Sequence, residues 1–185
     1  MTFNELIENV KDWSTAKGID KASPLAQMLK LNEEWGELNA GKAKADKPKL
    51  EDSIGDVLVV LIILSQQMQF ENIEQLVDPM QSGYGKYTPK DVSTDMLLLY
   101  GAKEIGLIAS SLIDLVHNPG IINTRTQIQF HIRNLSGVLY KVAINEDTDM
   151  VTCLGIAWNE IKDRQGKMVD GVFVKDSDLE EGEDA

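Results

Sequence analysis

At 185 residues, with 43% hydrophobic and 26% charged side chains, the chain can build one sizeable core or two small ones and has the make-up of a soluble globular protein. An aromatic content of 6% leans towards helices over a β-sandwich. A formal net charge of −12 argues against nucleic acid polymers and anionic membranes as partners, yet leaves a small anionic substrate open, because a bound cation reverses the local sign.

Thr2 with Glu5 three residues later reads as a capping box, and Phe3, Leu6, Ile7, Val10 and Trp13 then share one helical face up to Gly18. This N-terminus lacks the basic and apolar blocks of a secretory leader. Ser23-Pro24 starts a second helix that turns Met28, Leu31, Trp35 and Leu38 inward and should end near Gly41. After a basic connection, a third helix is expected from about Pro48 through Leu50, Ile54, Val57, Leu58, Leu61 and Met68. Its apolar run, Val57 to Leu64, is too short to span a bilayer. A short helix follows around Ile73 to Val77, and then a Pro- and Gly-containing loop from Asp78 to Pro89.

Thr88-Pro89 reads as the start of a helix that reaches about His117, where Asn118-Pro119-Gly120 breaks it. Another helix is expected from Thr124 to Ile144, and a last one between Thr148 and Gly166. Val172 to Val174 reads as a short extended piece, and the acidic tail 176–185 as disordered. The expected class is all-α, an antiparallel bundle forming a single domain over 1–175. Cys153, being the one cysteine, rules out an intramolecular disulfide and suits a reducing cytoplasm.

Weak internal similarity links the two halves. Gln27 to Leu31 resembles Asp95 to Leu99, Glu34-Trp35-Gly36 resembles Glu104-Ile105-Gly106 in a register shifted by two, and Ile54 to Leu58 faintly echoes Ser136 to Tyr140. Either the chain is a pseudo-dimer with one site kept and one degenerate, or two amphipathic helix pairs resemble each other by chance.

The chemistry concentrates in two acid clusters. Glu33, Glu34 and Glu37 are three and four residues apart on the second helix, and Asp56 follows Asp52 by four and Ser53 by three on the third. Two antiparallel helices about 8–10 Å apart can bring such oxygens to a common centre. Hard oxygen donors without His or Cys favour magnesium, or manganese, over zinc. The plain alternative is a solvated acidic face, but Asp56 inside the apolar run Ile54 to Leu64 is hard to place in water. A third segment, Asn159 to Lys167, carries Lys162 and Arg164 as cations for phosphate, although cations near a helix C-terminus also suit its dipole. Trp13, Trp35 and Trp158 all sit at core spacing, Trp13 being the best placed to meet a base.

Taken in order, Glu-Glu-x-x-Glu, Ile-Gly-Asp-Val-Leu-Val-Val-Leu and Asn-Glu-Ile-Lys-Asp-Arg-x-Gly-Lys-Met resemble the MazG-like family of all-α nucleoside triphosphate pyrophosphohydrolases, to which the dimeric dUTPases are related. The match covers roughly residues 1–77 and 154–175. The resemblance implies magnesium-dependent cleavage of a nucleoside triphosphate to a monophosphate and pyrophosphate, as in clearing a nucleotide pool of dUTP- or dCTP-type substrates. It implies Glu34 and Glu37 as metal ligands with Asp56, Glu33 or Glu37 orienting the water, and Asn159, Lys162 and Arg164 reaching the nucleotide. It implies a homo-oligomer such as a dimer, with residues 1–77 bearing the motifs and 88–166 supplying partner helices. Two features depart from the pattern: Ser53 stands where a glutamate ligand is expected, so that Asp52 substitutes for it, Ser53 serves the metal through a water, or activity is reduced, and a long segment from about Asp78 to Thr152 stands where short family members need only a short connection. A catalytically weakened nucleotide-binding or regulatory relative is therefore the second reading, and an acidic helical adaptor the third.

Overall fold

In the computed structural model, residues 1–82, 92–118, 123–169 and 172–176 are described. Among the described residues the structure is all-α apart from one small hairpin: α1 (Phe3–Lys17), a 3-10 turn (Ile19–Lys21), α2 (Pro24–Ala43), α3 (Lys47–Gln67), α4 (Ile73–Val77), α5 (Pro79–Ser82), α6 (Thr94–His117), α7 (Thr124–Asn145) and α8 (Met150–Ile161), followed by strands β1 (Gly166–Val169) and β2 (Val172–Lys175).

Local chemistry sets the boundaries. The capping box at Thr2 forms, with Thr2 N donating to Glu5 at 2.7 Å, and Gly18 closes α1 in the left-handed conformation at φ 73°. Ser23 caps α2 ahead of Pro24. Helix α2 runs past Gly41 to Ala43, and α3 begins one residue before Pro48, because Asp46 accepts from Lys49 N as its N-cap. The expected helix start at Thr88-Pro89 lies outside the described residues; α6 begins at Thr94, capped by Ser93. Pro79 to Ser82, expected as loop, is a short helical turn. The tail 177–185 also lies outside the described residues. Val172–Lys175 is more than an extended piece: it pairs antiparallel with Gly166–Val169, Met168 opposite Phe173.

Two helix hairpins make the body, α2 packed on α3 and α6 on α7. Helix α3 is the central element, buried almost throughout its apolar run, because α1 and α8 cover the sides that α2 leaves open. The hairpins meet where the Trp35 indole of α2 abuts Gly101 of α6: a Cβ there would fall 2.1 Å from the indole, so only glycine allows the approach. At the far end, Glu146 accepts from Lys42 at 2.7 Å and from Thr94, tying α2, α6 and the end of α7 together.

The buried positions recur. Gln27, Met28, Leu31, Glu34, Trp35, Leu38 and Gly41 are buried in α2; Leu97, Leu98, Gly101, Glu104, Ile105, Ile108 and Ser111, each seventy residues on, are buried in α6. Likewise Leu50, Ser53, Ile54, Gly55 and Val57 of α3 match Ile132, Leu135, Ser136, Gly137 and Leu139 of α7, eighty-two residues on. The register is constant along each helix, so the two-residue shift expected between Gln27–Leu31 and Glu34–Gly36 is absent.

Candidate acidic site and its pocket

Helix α2 presents Glu34 inward at the position a core residue would occupy, and it is only 6% exposed. Its counter-charge is Lys30, one turn earlier, with Nζ at 2.6 Å; the same ammonium reaches Glu33 at 3.1 Å. Glu37, one turn further on, is half exposed and pairs with Lys49 of α3 at 3.0 Å. Across from α2, Asp52 and Asp56 are both half-buried on α3, and Ser53 is buried beside them.

Helix α8 closes the third side. A Cβ on Gly55 would lie 2.2 Å from the Cys153 carbonyl oxygen and 2.8 Å from Ala157 Cβ, so α3 and α8 touch backbone to backbone at this point. That contact brings Glu160 of α8 into the field of both aspartates. Glu160 was not singled out from sequence; the signal available was its place inside the Asn159–Arg164 segment, one helical turn before Arg164, with which it pairs.

The electrostatics is that of acids short of a counter-cation. Burial raises the Asp56 carboxyl to about 7, and the charges of Glu34, Asp52 and Glu160 push the same way, with Lys30 opposing. Asp52 is raised too, first by burial and then by Glu160, Glu34 and Glu37. Its Oδ1 is buried with no hydrogen-bond partner. For Lys30, burial disfavours the ammonium, but Glu34 and Glu33 outweigh it and the group is held above its ordinary value. Carboxylates buried together without neutralisation are costly. The donor set is all oxygen, which suits a hard divalent cation. As the side chains stand, no group of three or more His, Cys, Asp or Glu among the described residues is arranged to hold a metal ion. Glu34 and Glu37 point to lysines instead.

A pocket of about 390 Å³ opens directly beside the acids. Glu33, Glu34, Asp56, Lys30 and Arg164 line it. Trp13, Ile19, Gln27, Val60 and Ile63 also line it, as do Phe173 and Lys175 of β2. Trp13 and Phe173 meet edge to face, ring centres 6.0 Å apart. The site thus draws on both ends of the chain. Of the residues expected to reach a nucleotide, Trp13 and Arg164 line the pocket. Asn159 and Lys162 do not: both are exposed, and Lys162 donates to Asn159 at 2.9 Å. The exposed end of α8 turns them outward, one helix face away from Ile161, which lines the pocket. Trp35 is in the core, as expected from spacing, and Trp158 is half-buried against it.

At the matching place in the second hairpin one acid is kept and the two aspartates are gone. Glu104, which corresponds to Glu34, is buried against His131 Nδ1 at 2.7 Å, Asn134 Nδ2 at 3.2 Å and Lys103 Nζ at 3.2 Å. Asn134 stands where α3 has Asp52, and Val138 where it has Asp56. Burial works against the Glu104 charge, but hydrogen bonds from these three residues hold it below the usual carboxylate range. One half therefore neutralises its buried glutamate with its own side chains, while the other leaves acid uncompensated.

No family model and no solved structure matches the chain. Over 72 residues, 38% of this chain and 44% of the other, it is 36% identical to a protein of Haemophilus phage HP1 (strain HP1c1) described as an uncharacterized 18.2 kDa protein in the rep-hol intergenic region. The chain thus spans under half the length of that relative, and the likeness extends to about two fifths of its own sequence.

Proposed function

We propose that this chain is a magnesium-dependent nucleoside triphosphate pyrophosphohydrolase of the MazG-like type. The observation that carries the reading is a pocket lined by Glu33, Glu34 and Asp56 together with Lys30, Arg164, Lys175, Trp13 and Phe173, in which burial and neighbouring acids raise the Asp56 carboxyl. Glu34, Asp52 and Asp56 are the residues that would hold the metal, with Glu160 in place of the carboxylate missing at Ser53. The orphaned Asp52 Oδ1 and the all-oxygen donor set fit such an ion. When bound, it would neutralise phosphate charge and lower the pKa of a coordinated water.

The protein's own groups divide the remaining work. Arg164, Lys175 and Lys30 bind phosphate oxygens, Arg164 with a fork that matches them. Trp13 and Phe173 wall the space for the base. Glu33, which lines the pocket, is better placed than Glu37 to take the proton of the attacking water. Water adds across the α–β anhydride, that bond breaks, and pyrophosphate leaves from the monophosphate.

The recurring burial pattern supports the related reading that α6 and α7 duplicate α2 and α3, giving a single-chain pseudo-dimer in which the second site has been replaced by the Glu104–His131–Asn134 cluster.

Incubation with a panel of canonical and modified nucleoside triphosphates plus magnesium, with product analysis, tests the function. Monophosphate and pyrophosphate in equal amounts are expected. Orthophosphate release, or no turnover of any member with magnesium or manganese, would overturn it. The buried Ser53 and the absence of a ready-made three-ligand cluster among the described residues favour one second reading, a nucleotide-binding relative that hydrolyses weakly. Calorimetry showing tight triphosphate binding without turnover would establish that instead.

A further inference from the structure

Gln27 is a polar residue at a core position of α2. It is only 8% exposed, and what it exposes opens on the pocket it lines. Its companions in that wall include the apolar Ile19, Val59, Val60 and Ile63. Its amide Nε2 donates to the Val60 carbonyl oxygen of α3 at 3.4 Å, a long bond, and among the described residues no group donates to its Oε1. A carboxamide brings two donor hydrogens and an acceptor oxygen with two lone pairs. Most of that capacity goes unused within the chain, which costs stability at a buried position.

The second hairpin shows what packing alone asks for here. Ser23 and Ser93 cap α2 and α6 seventy residues apart, and at the same spacing the buried Gln27 corresponds to the buried Leu97. Leucine therefore satisfies the fold at this point. Lys30, the next residue of α2 in the pocket wall, corresponds to Tyr100, so neither of these polar residues recurs where the aspartates are also gone. Gln27 stands two helical turns before Glu34, about 10 Å along the same face of α2. Val60, which holds its amide, lies one turn beyond Asp56 on the antiparallel α3. The groove between the two helices thus leads from the acids to the Gln27 carboxamide.

We infer that Gln27 reads the nucleobase, and so sets which bases the site accepts; this rests on the reading of the pocket as a nucleoside triphosphate site. Phosphate is drawn to cations and repelled by a bare acceptor oxygen. An acceptor beside a donor complements instead the edge of a base, where ring nitrogens and exocyclic groups offer donors and acceptors side by side. The tether from Nε2 to Val60 sets the carboxamide before a ligand arrives, which lowers the ordering cost of binding. A base that fails to pair leaves the amide buried and unsatisfied among apolar walls, and that penalty separates one base from another more sharply than shape does.

The test is calorimetric binding, with magnesium, of α,β-methylene nucleoside triphosphates, which cannot be cleaved between those phosphorus atoms, carrying each base on ribose and on deoxyribose. The proteins are the full chain, Gln27→Met, which keeps the side-chain length, and Gln27→Leu, which copies the second hairpin; circular dichroism establishes that both variants are folded. Wild type is expected to favour its best base over its weakest by roughly tenfold or more, and both variants to bind all bases within about threefold of one another. Inorganic tripolyphosphate, which has no base, should bind all three proteins alike. Folded variants that keep the wild-type preference, a wild type indifferent to the base, or a loss that falls equally on every base would each overturn the inference while the hydrolase reading stands. A preference that collapses in the variants, in a protein that binds the cleavable triphosphates without turning them over, would uphold the role of Gln27 and overturn the hydrolase. No binding of any analogue to wild type would overturn both.

Discussion

Lys30 Nζ lies 2.6 Å from the Glu34 carboxylate, so the most deeply buried acid of the site is neutralised by an ammonium from its own helix. A divalent cation taking Glu34 as ligand has to displace that ammonium. Lys30→Met should therefore destabilise the metal-free protein, since a buried carboxylate loses its counter-charge, an effect of about 1–3 kcal/mol. Magnesium should then raise the melting temperature of the variant by more than that of wild type. Thermal melts with and without magnesium check this; an equal magnesium increment in both proteins would separate Glu34 from the metal.

Asp56 makes its own contribution to the pH dependence of the metal-free protein. Its folded-state pKa, about 7, lies above the ordinary 3.8, so the folded state holds the proton more tightly than the unfolded one. Stability from this group is fully present below the ordinary value and is lost as pH rises through 7. At about 1.4 kcal/mol per unit, the loss is at most about 4 kcal/mol. Melts at pH 5 and pH 8 should show the fall, Asp56→Asn should flatten it, and magnesium should offset it at pH 8. Asp56→Asn should also abolish turnover, trading activity for metal-free stability.

Gly55→Ala places a methyl group against the Cys153 carbonyl and Ala157. Both contacts are backbone or core, with no flexible side chain to yield, so α8 must move away. Overpacking of this sort costs about 1–3 kcal/mol. The displacement carries Glu160 and Arg164 with it, so turnover should fall by more than the loss of folded protein explains. Activity per folded molecule, set against denaturant unfolding, measures this.

Glu160→Gln removes the α8 carboxylate from the field of Asp52 and Asp56. If Glu160 supplies what Ser53 lacks, the magnesium concentration for half-maximal turnover should rise roughly tenfold or more, on the order of 1.4 kcal/mol of metal affinity. An unchanged magnesium dependence would leave Glu160 as the ion-pair partner of Arg164 alone.

In the second hairpin, Asn134→Asp sets a carboxylate beside the buried Glu104, re-creating the acid that α3 has at Asp52. The variant should lose about 1–3 kcal/mol at neutral pH through like-charge opposition, and less at pH 5. A melt as stable as wild type at pH 8 would show that Glu104 and residue 134 do not share one site.

Much of the fold is written in local chemistry. The capping box at Thr2, Ser23-Pro24 and the period of Leu31, Trp35 and Leu38 all place helices where they are found, because each acts within a turn or two of chain. The acids on α2 and α3 are legible for the same reason: Glu34 falls in the core stripe, and Asp56 interrupts an apolar run. What lies beyond reach is set by contact between distant segments. Glu160 joins the acids only because Gly55 lets α8 come within touching distance, a fact about two helices a hundred residues apart. Lys162 was expected at phosphate as a cation, and Asn159 at the nucleotide from the family resemblance, but the helical phase at the end of α8 turns them to solvent. Of the β1–β2 hairpin only Val172 to Val174 reads as extended from sequence; its partner strand does not, because four residues are too short to show alternation.

The edge-to-face meeting of Trp13 and Phe173 has a consequence for how the molecule is made. The pocket wall begins in α1 and is completed by a strand about 160 residues further along the chain. Domains fold from the N-terminus as synthesis proceeds. The α2–α3 hairpin can thus collapse with its acids long before β2 exists, and a nascent chain paused ahead of Phe173 would carry the acids of the pocket without the wall that β2 supplies. Ligand binding by stalled nascent chains of increasing length should switch on only once Lys175 has cleared the exit tunnel.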